Sequence, residues 1–428
     1  MLWPPHETDS PPEDTRATVD DWRDLADLLA LATERLTSPV EGIHDAIADR
    51  WFRLAGSGAA PARRAYRTAT AGIYRSVRLA GVALGAAIGF GAAIADKREP
   101  LRPLGRSTVG SGIQAVGNAL WGDELELRRG DPRAELGLRN SEGELIGLDA
   151  LALGRAFPEP TSRLVLLLHG LGETERCWQS RTVDGDTAVG LAELLAADSF
   201  TPLLVRYNSG RHVSDNGLAL ATLIDEITRS WPVPVGEIAL VGNSMGGLVA
   251  RSSLYAGRSA EHAWVGKTGH IATLGSPHLG APLEKGANVI SWGLHLVPES
   301  RPLGVFLNQR SAGIKDLRFG AIREEDWTEQ DPDAFLIDAV ADAPLPEEID
   351  QHFIAGVVTA EPTHPVGALL GDSVVRVGSA IGRGRRRRIE ATDVRVLGRR
   401  RHFDMLHDPV VQEQVRDWLS GKSGEPHE

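Results

Sequence analysis

Cysteine is almost absent from this sequence of 428 residues, since Cys177 is the one thiol in the chain. A single cysteine excludes disulfides within the chain, so the fold does not depend on an oxidising compartment. Positive charge is also scarce, because 46 Lys and Arg against 58 Asp and Glu give a formal net charge of −12. This balance argues against a general nucleic-acid-binding protein, and we expect no nucleic-acid partner.

Targeting and membrane-spanning segments are also lacking. The first residues are acidic and proline-rich, without a basic stretch followed by an apolar core, so we expect no signal peptide and a cytoplasmic protein. Residues 79–95 form an uncharged stretch of 17 residues, seven of them alanine and four glycine. A spanning helix needs about 20 apolar residues, so this stretch favours a buried or membrane-surface helix. A membrane span with close helix packing through glycine remains the alternative.

Apolar spacing in the first third of the chain is helical. We predict a disordered lead-in over residues 1–18, a helical region over residues 19–120, and a first helix that ends at Pro39. From about residue 121 the pattern changes to short alternating segments, which predict antiparallel strands at 125–127, 135–138 and 144–146.

Buried strands and helices alternate through the rest of the chain. The predicted strands are residues 164–168, 202–207, 238–241, 271–274, 353–358 and 392–397, with helices at 190–197, 214–231 and 410–419. Such alternation predicts an α/β domain with a mostly parallel sheet and helices on both faces. We place this domain at residues 121–420 and a tail at 421–428.

The most specific pattern is a G-x-S-x-G turn between an apolar strand and a helix, formed by Gly242, Ser244 and Gly246. In a turn this tight the serine has a strained backbone, and the flanking glycines let neighbouring backbones pass. The turn presents the Ser244 hydroxyl at the carboxyl edge of the sheet. We predict that Ser244 is a nucleophile; an incidental serine in a glycine-rich turn is the alternative.

Donors for a developing oxyanion are predicted after the strand at residues 164–168. His169 and Gly170 begin a His-Gly-x-Gly loop that can present the backbone N–H of Leu171. The residue after the serine, Met245, presents a second N–H, and each such donor contributes roughly 10²–10³ in rate. An ordinary strand exit is the alternative for His169 and Gly170.

An acid and a base are expected after the later strands, in the order Ser, Asp, His. Asp372 follows a strand and a loop with proline and glycine, where its carboxylate can accept a histidine N–H. The competing acids are Asp393, inside the next predicted strand, and Asp338 and Asp342, in acidic helical surroundings.

Two histidines are candidates for the base, because both lie between the last strand and the terminal helix. His402 is closer to the strand end, from which a loop must reach Ser244, and is preferred. His407 lies beside the entry to the helix and is the alternative base. His278 precedes the acid in the chain and is predicted to shape a pocket wall.

These motifs together resemble the lipase-type α/β-hydrolases, and most of all the bacterial branch grouped with GPI-inositol-deacylase-like lipases. The resemblance covers about residues 120–420 and is carried by residues 168–172, 242–247, 275–280 and 371–375, with His402 and Leu406. It implies an α/β-hydrolase fold with the triad Ser244, Asp372 and His402. The branch usually has histidine directly before the nucleophile, where this chain has Asn243. Its name does not establish an inositol substrate.

Two further segments have open interpretations. The insertion at about residues 282–346 would lie above the carboxyl edge as a cap or lid, or be an insertion without a gating role. Residues 376–401 carry ten arginines, nine of which lie in the arginine-rich segment 383–401. They form either a solvated loop or a contact for an anionic surface or lipid head group.

The sequence therefore predicts a carboxylic-ester hydrolase that works through an acyl-enzyme, with no metal or organic cofactor. Its expected partner is an ester or lipid substrate, with membrane contact left open. Acyl transfer and thioester hydrolysis on the same triad are alternatives. A membrane- or lipid-particle-binding protein, whose helical N-terminal region carries the function, is another.

Overall fold

The computed structural model describes residues 13–54, 57–96, 108–129, 136–183, 186–281, 309–328, 340 and 343–421. These residues fall into two compact units, divided between Gln114 and Ala115. The first unit is helical, and the second contains the sheet.

Helices lie in both units, and those after α3 alternate with the strands of the second unit. The described helices are α1 (Glu13–Leu54), α2 (Ala60–Asp96), α3 (Thr108–Arg129), α4 (Ala150–Ala156), α5 (Leu191–Ala197), α6 (Val213–Ser230), α7 (Met245–Ser259), α8 (Ala312–Asp316), α9 (Glu325–Thr328), α10 (Pro365–Leu370), α11 (Val377–Ala380) and α12 (Pro409–Leu419). Short 3-10 helices lie at Ser57–Ala59, Glu175–Trp178, Ala263–Lys267 and His402–His407.

The described strands form two sheets. They are β1 (Gly137–Arg139), β2 (Arg163–Leu168), β3 (Arg181–Val183), β4 (Asp186–Ala188), β5 (Thr201–Arg206), β6 (Glu237–Asn243), β7 (Thr268–Leu274), β8 (Asp350–Val357) and β9 (Asp393–Gly398). Seven of them form one sheet in the order β1-β5-β2-β6-β7-β8-β9, while β3 and β4 form a separate hairpin. In the large sheet only β1 is antiparallel to its neighbour, which confirms the predicted mostly parallel sheet.

Both faces of the sheet are covered, as strands without polar alternation require. On β2 the side chains of Leu164, Leu166 and Leu168 enter one core with residues of α6 and α7. Val165 and Leu167, which alternate with them, enter a second core with residues of α5 and α12. The sheet is therefore the middle layer of three, and its carboxyl edge is left for the loops.

The helices α1 and α2 pack closely through glycine. A side-chain carbon at Gly81 would lie 2.6 Å from the Thr33 hydroxyl oxygen, and one at Gly85 would lie 2.6 Å from the Ala26 carbonyl oxygen. The four-residue glycine spacing in the stretch 79–95 thus serves contact between these two helices. Among the described residues, no helix combines the length and the apolar content that crossing a membrane requires.

The prediction that Pro39 ends the first helix is wrong, because α1 continues from Glu13 to Leu54 with Pro39 inside it. An internal proline removes one hydrogen bond and costs about 3 kcal/mol. Contacts with α2 on both sides of the proline offset this cost: Thr33 lies against Gly81, and Asp49 pairs with Arg63 at 2.6 Å. The start at Glu13 also lies within the predicted lead-in, of which residues 1–12 are outside the described residues.

The strand predicted at residues 125–127 is also wrong, because these residues belong to α3. Leu125 is buried, and Glu126 pairs with Arg211 at 3.2 Å. Three residues of alternating polarity fit one helical turn as well as a strand, so the pattern alone could not distinguish the two. The second unit therefore begins with a helix and not with a strand. The segment 144–146 contributes a single bridge, from Leu145 to Arg139.

The predicted cap is described only in part. Residues 309–328, 340 and 343–346 are described and contain α8 and α9, while the rest of the 282–346 insertion lies outside the described residues. The alternative acids Asp338 and Asp342 lie there too, as do residues 422–428 of the predicted tail.

Candidate active site

Ser244 lies at the junction of β6 and α7, at the carboxyl edge of the sheet. Its backbone has φ 51° and ψ −118°, a positive-φ conformation that costs energy for any residue with a side chain. A side chain at Gly242 would collide with the Gly247 backbone nitrogen, and one at Gly246 with the Leu168 carbonyl oxygen. Both glycines are therefore required by close backbone approach, as the turn predicted.

The loop after β9 brings His402 to Ser244. His402 begins the 3-10 helix His402–His407, and its Nε2 lies 2.9 Å from Ser244 Oγ. Its Nδ1 lies 2.7 Å from Asp372 Oδ2, and its backbone N–H donates to the Asp372 carbonyl oxygen at 3.1 Å. The imidazole is thus oriented by one residue through both side chain and backbone.

Asp372 lies in a tight turn after the short helix α10, which replaces part of the predicted loop. Its Oδ1 accepts the N–H groups of Val374 at 2.9 Å and Val375 at 2.8 Å, which leaves Oδ2 for His402. Two backbone donors and an imidazole satisfy a carboxylate that is almost completely buried.

The backbone around this pair leaves no room for larger residues. Gly371 has φ 61°, and a side chain there would collide with the Val375 carbonyl oxygen. At Gly275, with φ 58°, an added carbon would lie 3.1 Å from Asp372 Oδ2 and 3.2 Å from His402 Nδ1. The segment 275–280 therefore contributes close backbone packing beside the acid and the histidine.

The other candidate acid and bases have different partners. Asp393 accepts the indole N–H of Trp418 at 2.9 Å and pairs with Arg395. His407 has no hydrogen bond to Ser244 or Asp372 among the described residues, and burial lowers its pKa.

His278 is completely buried rather than open to a pocket. Its Nε2 is 3.0 Å from Thr273 Oγ1, and its ring lies 4.4 Å from that of Phe353. Burial, with the charges of Arg251 and Arg387, holds the pKa of His278 well below its ordinary value.

The predicted oxyanion loop follows β2. His169 points into the protein: its ring stacks on Tyr207 at 4.2 Å, its Nε2 accepts the Tyr207 N–H, and burial lowers its pKa. The N–H of Gly170 donates to Glu173 Oε2 at 2.8 Å, and that of Gly172 to Ser209 Oγ at 3.2 Å. Among the described residues, no acceptor lies on the N–H of Leu171, the donor that the loop pattern predicts.

Met245 is the first residue of α7, so its N–H belongs to the helix terminus that is left without an intrahelical acceptor. Within the described chain this N–H has no hydrogen-bond partner either. Both predicted donors are therefore available to an oxygen bound beside Ser244.

Glu173 connects the oxyanion loop to the nucleophile turn. Its Oε2 accepts the Gly170 N–H and also the Asn243 amide at 2.9 Å. The sequence analysis did not identify Glu173, because nothing local in the pattern links two residues 70 positions apart. Asn243, which stands where the resembling branch usually has histidine, thus joins the two loops.

The described part of the predicted cap is anchored to the sheet domain. Asp316, at the end of α8, accepts the Val213 N–H at 2.7 Å and lies 3.0 Å from His212 Nδ1. The ring of His212 stacks on that of Trp327 at 3.7 Å. At the start of α8, the hydroxyl of Ser311 donates to the Ala119 carbonyl oxygen.

The arginine-rich segment divides into tied and exposed side chains. Arg387 donates to the Phe319 carbonyl oxygen at 2.8 Å, Arg395 to Gln414 at 3.0 Å, and Arg400 pairs with Asp408. The exposed arginines of residues 376–401 are Arg376, Arg383, Arg385, Arg386, Arg388, Arg399 and Arg401.

Two of these exposed arginines lie next to the turn that holds Asp372. Arg399 and Arg401 line an open depression of about 600 Å³ together with Val358, Ser373 and Asp404. Ser373 directly follows Asp372, so positive charge is concentrated beside the turn that holds the acid.

Residues 165–421 match the sequence profile of the Alpha/beta hydrolase family, and the chain belongs to this family. The match covers more than half of the chain and includes every predicted catalytic residue. No curated protein matches the chain significantly.

Among solved structures, the chain is similar to a Bacillus licheniformis lipase in its mature form (19% identity, TM-score 0.37, 61% of this chain and 91% of that chain). It is also similar to an esterase from Thermogutta terrifontis (15% identity, TM-score 0.33, 62% of this chain and 92% of that chain). A third similar structure is the epoxide hydrolase CorEH (13% identity, TM-score 0.34, 61% of this chain and 93% of that chain). Likeness at this level does not bear on the substrate of this chain.

Proposed function

We propose that this chain is a serine hydrolase that cleaves carboxylic esters through an acyl-enzyme. The observation that carries the proposal is the continuous contact from Ser244 Oγ to His402 Nε2, at 2.9 Å, and from His402 Nδ1 to Asp372 Oδ2, at 2.7 Å. A serine, an imidazole and a buried carboxylate in this order are the groups that nucleophilic acyl transfer requires.

In the proposed acylation step, Ser244 Oγ attacks the ester carbonyl carbon while His402 Nε2 takes the hydroxyl proton. Asp372 holds the Nδ1–H tautomer and stabilises the imidazolium. His402 then gives the proton to the departing alkoxide, and the alcohol leaves. In deacylation, His402 removes a proton from water, which attacks the acyl carbon, and returns the proton to Ser244.

The backbone N–H groups of Leu171 and Met245 stabilise the oxyanion in this proposal. Donors fixed before the reaction stabilise developing charge without reorganisation, and each contributes roughly 10²–10³ in rate. The Glu173 contacts to Gly170 and Asn243 support this assignment, because they hold the donor loop against the nucleophile turn.

The first prediction concerns Ser244→Ala. We expect loss of ester hydrolysis by about 10⁶ in turnover, and loss of fluorophosphonate labelling, because no nucleophilic oxygen remains. Mass spectrometry of the labelled chain and p-nitrophenyl ester hydrolysis measure the two effects. Ser253→Ala is the matched control, because its hydroxyl lies on the same helix and donates to the Ala250 carbonyl oxygen at 2.8 Å. Labelling that persists in Ser244→Ala would refute the assignment.

Acyl transfer and thioester hydrolysis use the same residues and remain alternatives within the proposal. Product analysis with added alcohol distinguishes transfer from hydrolysis, and a matched thioester and oxygen ester distinguish the leaving groups. By the motifs that carry the resemblance, we place the chain near the GPI-inositol-deacylase-like branch of lipases, without an inositol substrate.

We further propose that the protein contacts anionic lipid surfaces. The exposed arginines of residues 383–388 support this contact, since guanidinium groups bind phosphate well. The helices α1 and α2 also expose apolar side chains: Leu36, Val40, Trp51, Leu79, Val82 and Leu84. If the helical region binds lipid, these apolar side chains of α1 and α2 would make the contact.

The second prediction tests this contact by cosedimentation with vesicles. We expect the full chain to pellet with phosphatidylserine vesicles more than with phosphatidylcholine, and to be released by salt. Replacing Arg385 and Arg386 with Gln should weaken binding by about 2 kcal/mol, since each cation near an anionic surface contributes about 1 kcal/mol. Trp51→Ser, a variant of α1, tests in the same assay whether the helices contribute to vesicle binding. Equal pelleting with both lipids would contradict the proposal.

A further inference from the structure

Three metal-ligating side chains meet at the amino ends of β7 and β8, the opposite edge of the sheet from Ser244. His270 is the third residue of β7, while Asp350 and His352 are the first and third of β8. His270 is in register with Asp350, and residues two apart on a strand face the same side of the sheet. The strands therefore bring all three side chains to one face.

The distances suit a small tetrahedral ion. His270 Nδ1 lies 3.4 Å from His352 Nε2 and 3.8 Å from Asp350 Oδ2, and the three ligand atoms all lie within 4.8 Å of one another. With bonds of about 2.0–2.2 Å, two ligands of a tetrahedral zinc ion are about 3.4 Å apart. A single long N–H···N hydrogen bond would account for the two imidazoles but not for the carboxylate beside them.

The surroundings orient the two rings. The second nitrogen of His270, Nε2, faces Glu237 Oε1 at 3.9 Å, which is longer than a hydrogen bond but places a carboxylate on the side where one supports a metal-bound histidine. Arg163 holds Glu237 in place at 2.7 Å. The ring of His352 stacks on that of Trp418 at 4.7 Å.

The site is closed on one side and open on the other. His352 is 5% exposed, whereas the side chain of Asp350 is 51% exposed and can move the short distance to a shared ion.

We propose that His270, Asp350 and His352 bind one divalent transition-metal ion of the zinc type. Two imidazoles and one carboxylate favour zinc and its neighbours over magnesium or calcium, which prefer oxygen ligands alone. Water completes the coordination on the exposed side. The ion links the starts of β7 and β8 and stabilises the sheet, independently of ester hydrolysis at the other edge.

The experiment is a zinc titration of the full chain, without a histidine tag and freed of metal by a chelator. Isothermal titration calorimetry should give one ion per chain, and zinc should raise the unfolding temperature. Cobalt should give the visible absorption of a tetrahedral site. We expect Asp350→Ala and His270→Gln to weaken zinc binding by at least about tenfold. His364→Gln, which removes an exposed histidine on another element, is the control and should bind as the wild type does.

Absence of zinc binding by the wild type would overturn the proposal, and so would unchanged affinity in Asp350→Ala and His270→Gln. Asp350 is half-exposed, so its replacement tests the site even if the His270 variant does not fold. Esterase activity is not a readout here, and failure of this proposal leaves the proposed hydrolase function untouched.

Discussion

His402 is held by three hydrogen-bond contacts with Ser244 and Asp372. His407, five residues later, makes none of these three contacts. The imidazole nitrogens of His402 contact Ser244 and Asp372, and its N–H donates to the Asp372 carbonyl oxygen. Both histidines belong to the same 3-10 helix, so a substitution at either position disturbs the same element. The pair is therefore a matched comparison of chemistry against local structure.

The third prediction uses this pair. We expect His402→Ala to lower kcat to nearly the level of Ser244→Ala, because both groups act in one proton transfer and their losses are not additive. His407→Ala should lose far less. Ester hydrolysis by the two variants and by the double variant Ser244→Ala with His402→Ala gives the measurement. The reverse ranking would move the base to His407.

Sequence patterns predict residues whose geometry is local. Gly242 and Gly246 are evident because the turn itself demands them, and Asp372 and His402 because each follows a strand end. Glu173 was not predictable, since its role arises from two contacts across the carboxyl edge, one of them with Asn243. Such a contact leaves no periodic trace in either segment.

At the scale of elements, buried strands were the most predictable feature. The run at residues 164–168 lies in β2, Arg163–Leu168, because a short continuous apolar run suits a strand covered on both faces. Predictions for short segments were less successful. Residues 125–127 were predicted as a strand, but tertiary packing makes them part of the helix α3. Pro39 failed for the same reason, since packing against α2 outweighs the lost hydrogen bond.

The fourth prediction concerns the element that anchors the described cap. Asp316→Ala removes the acceptor of the Val213 N–H and the partner of His212, so α8 loses its contact with the start of α6. We expect a loss of about 1–3 kcal/mol in the free energy of unfolding, because a buried donor is left without an acceptor.

Urea unfolding of Asp316→Ala, Asp316→Asn and the wild type gives the measurement. Asp316→Asn keeps one acceptor oxygen and should lose less. Glu325→Ala, an exposed acidic residue of α9, serves as the control and should stay within about 0.5 kcal/mol of the wild type. Equal stability of Asp316→Ala and Glu325→Ala would contradict the anchoring role.

At the scale of the whole molecule, two buried histidines, His169 and His278, make a contribution to stability that depends on pH. The pKa of His278 is held well below its ordinary value of about 6.5 by burial, and that of His169 is also lowered by burial. Below about pH 6.5 the unfolded chain therefore binds protons that the folded chain does not. The contribution of these two histidines to the free energy of unfolding consequently falls on acidification and rises with pH across this window.

The fifth prediction isolates His278. Its contribution to the slope approaches about 1.4 kcal/mol per pH unit below pH 6.5, so His278→Gln should flatten the dependence of stability on pH by up to this amount. Urea unfolding at pH 7, 6 and 5 gives the slopes. His364→Gln, which replaces an exposed histidine on another element, is the control variant. An unchanged slope in His278→Gln would refute the role of this residue.

The three residues proposed for catalysis come from the ends of β6, β8 and β9, and His402 lies 158 positions after Ser244. Because β7 and β8 lie between β6 and β9 in the sheet, the contact of His402 with Ser244 needs β7, β8 and β9 all to be in place. A chain still emerging from the ribosome would thus carry the serine turn without the base, and could not acylate itself on passing esters. The chain would become able to react with esters only late in synthesis. The onset of this reactivity would therefore report when the sheet is complete.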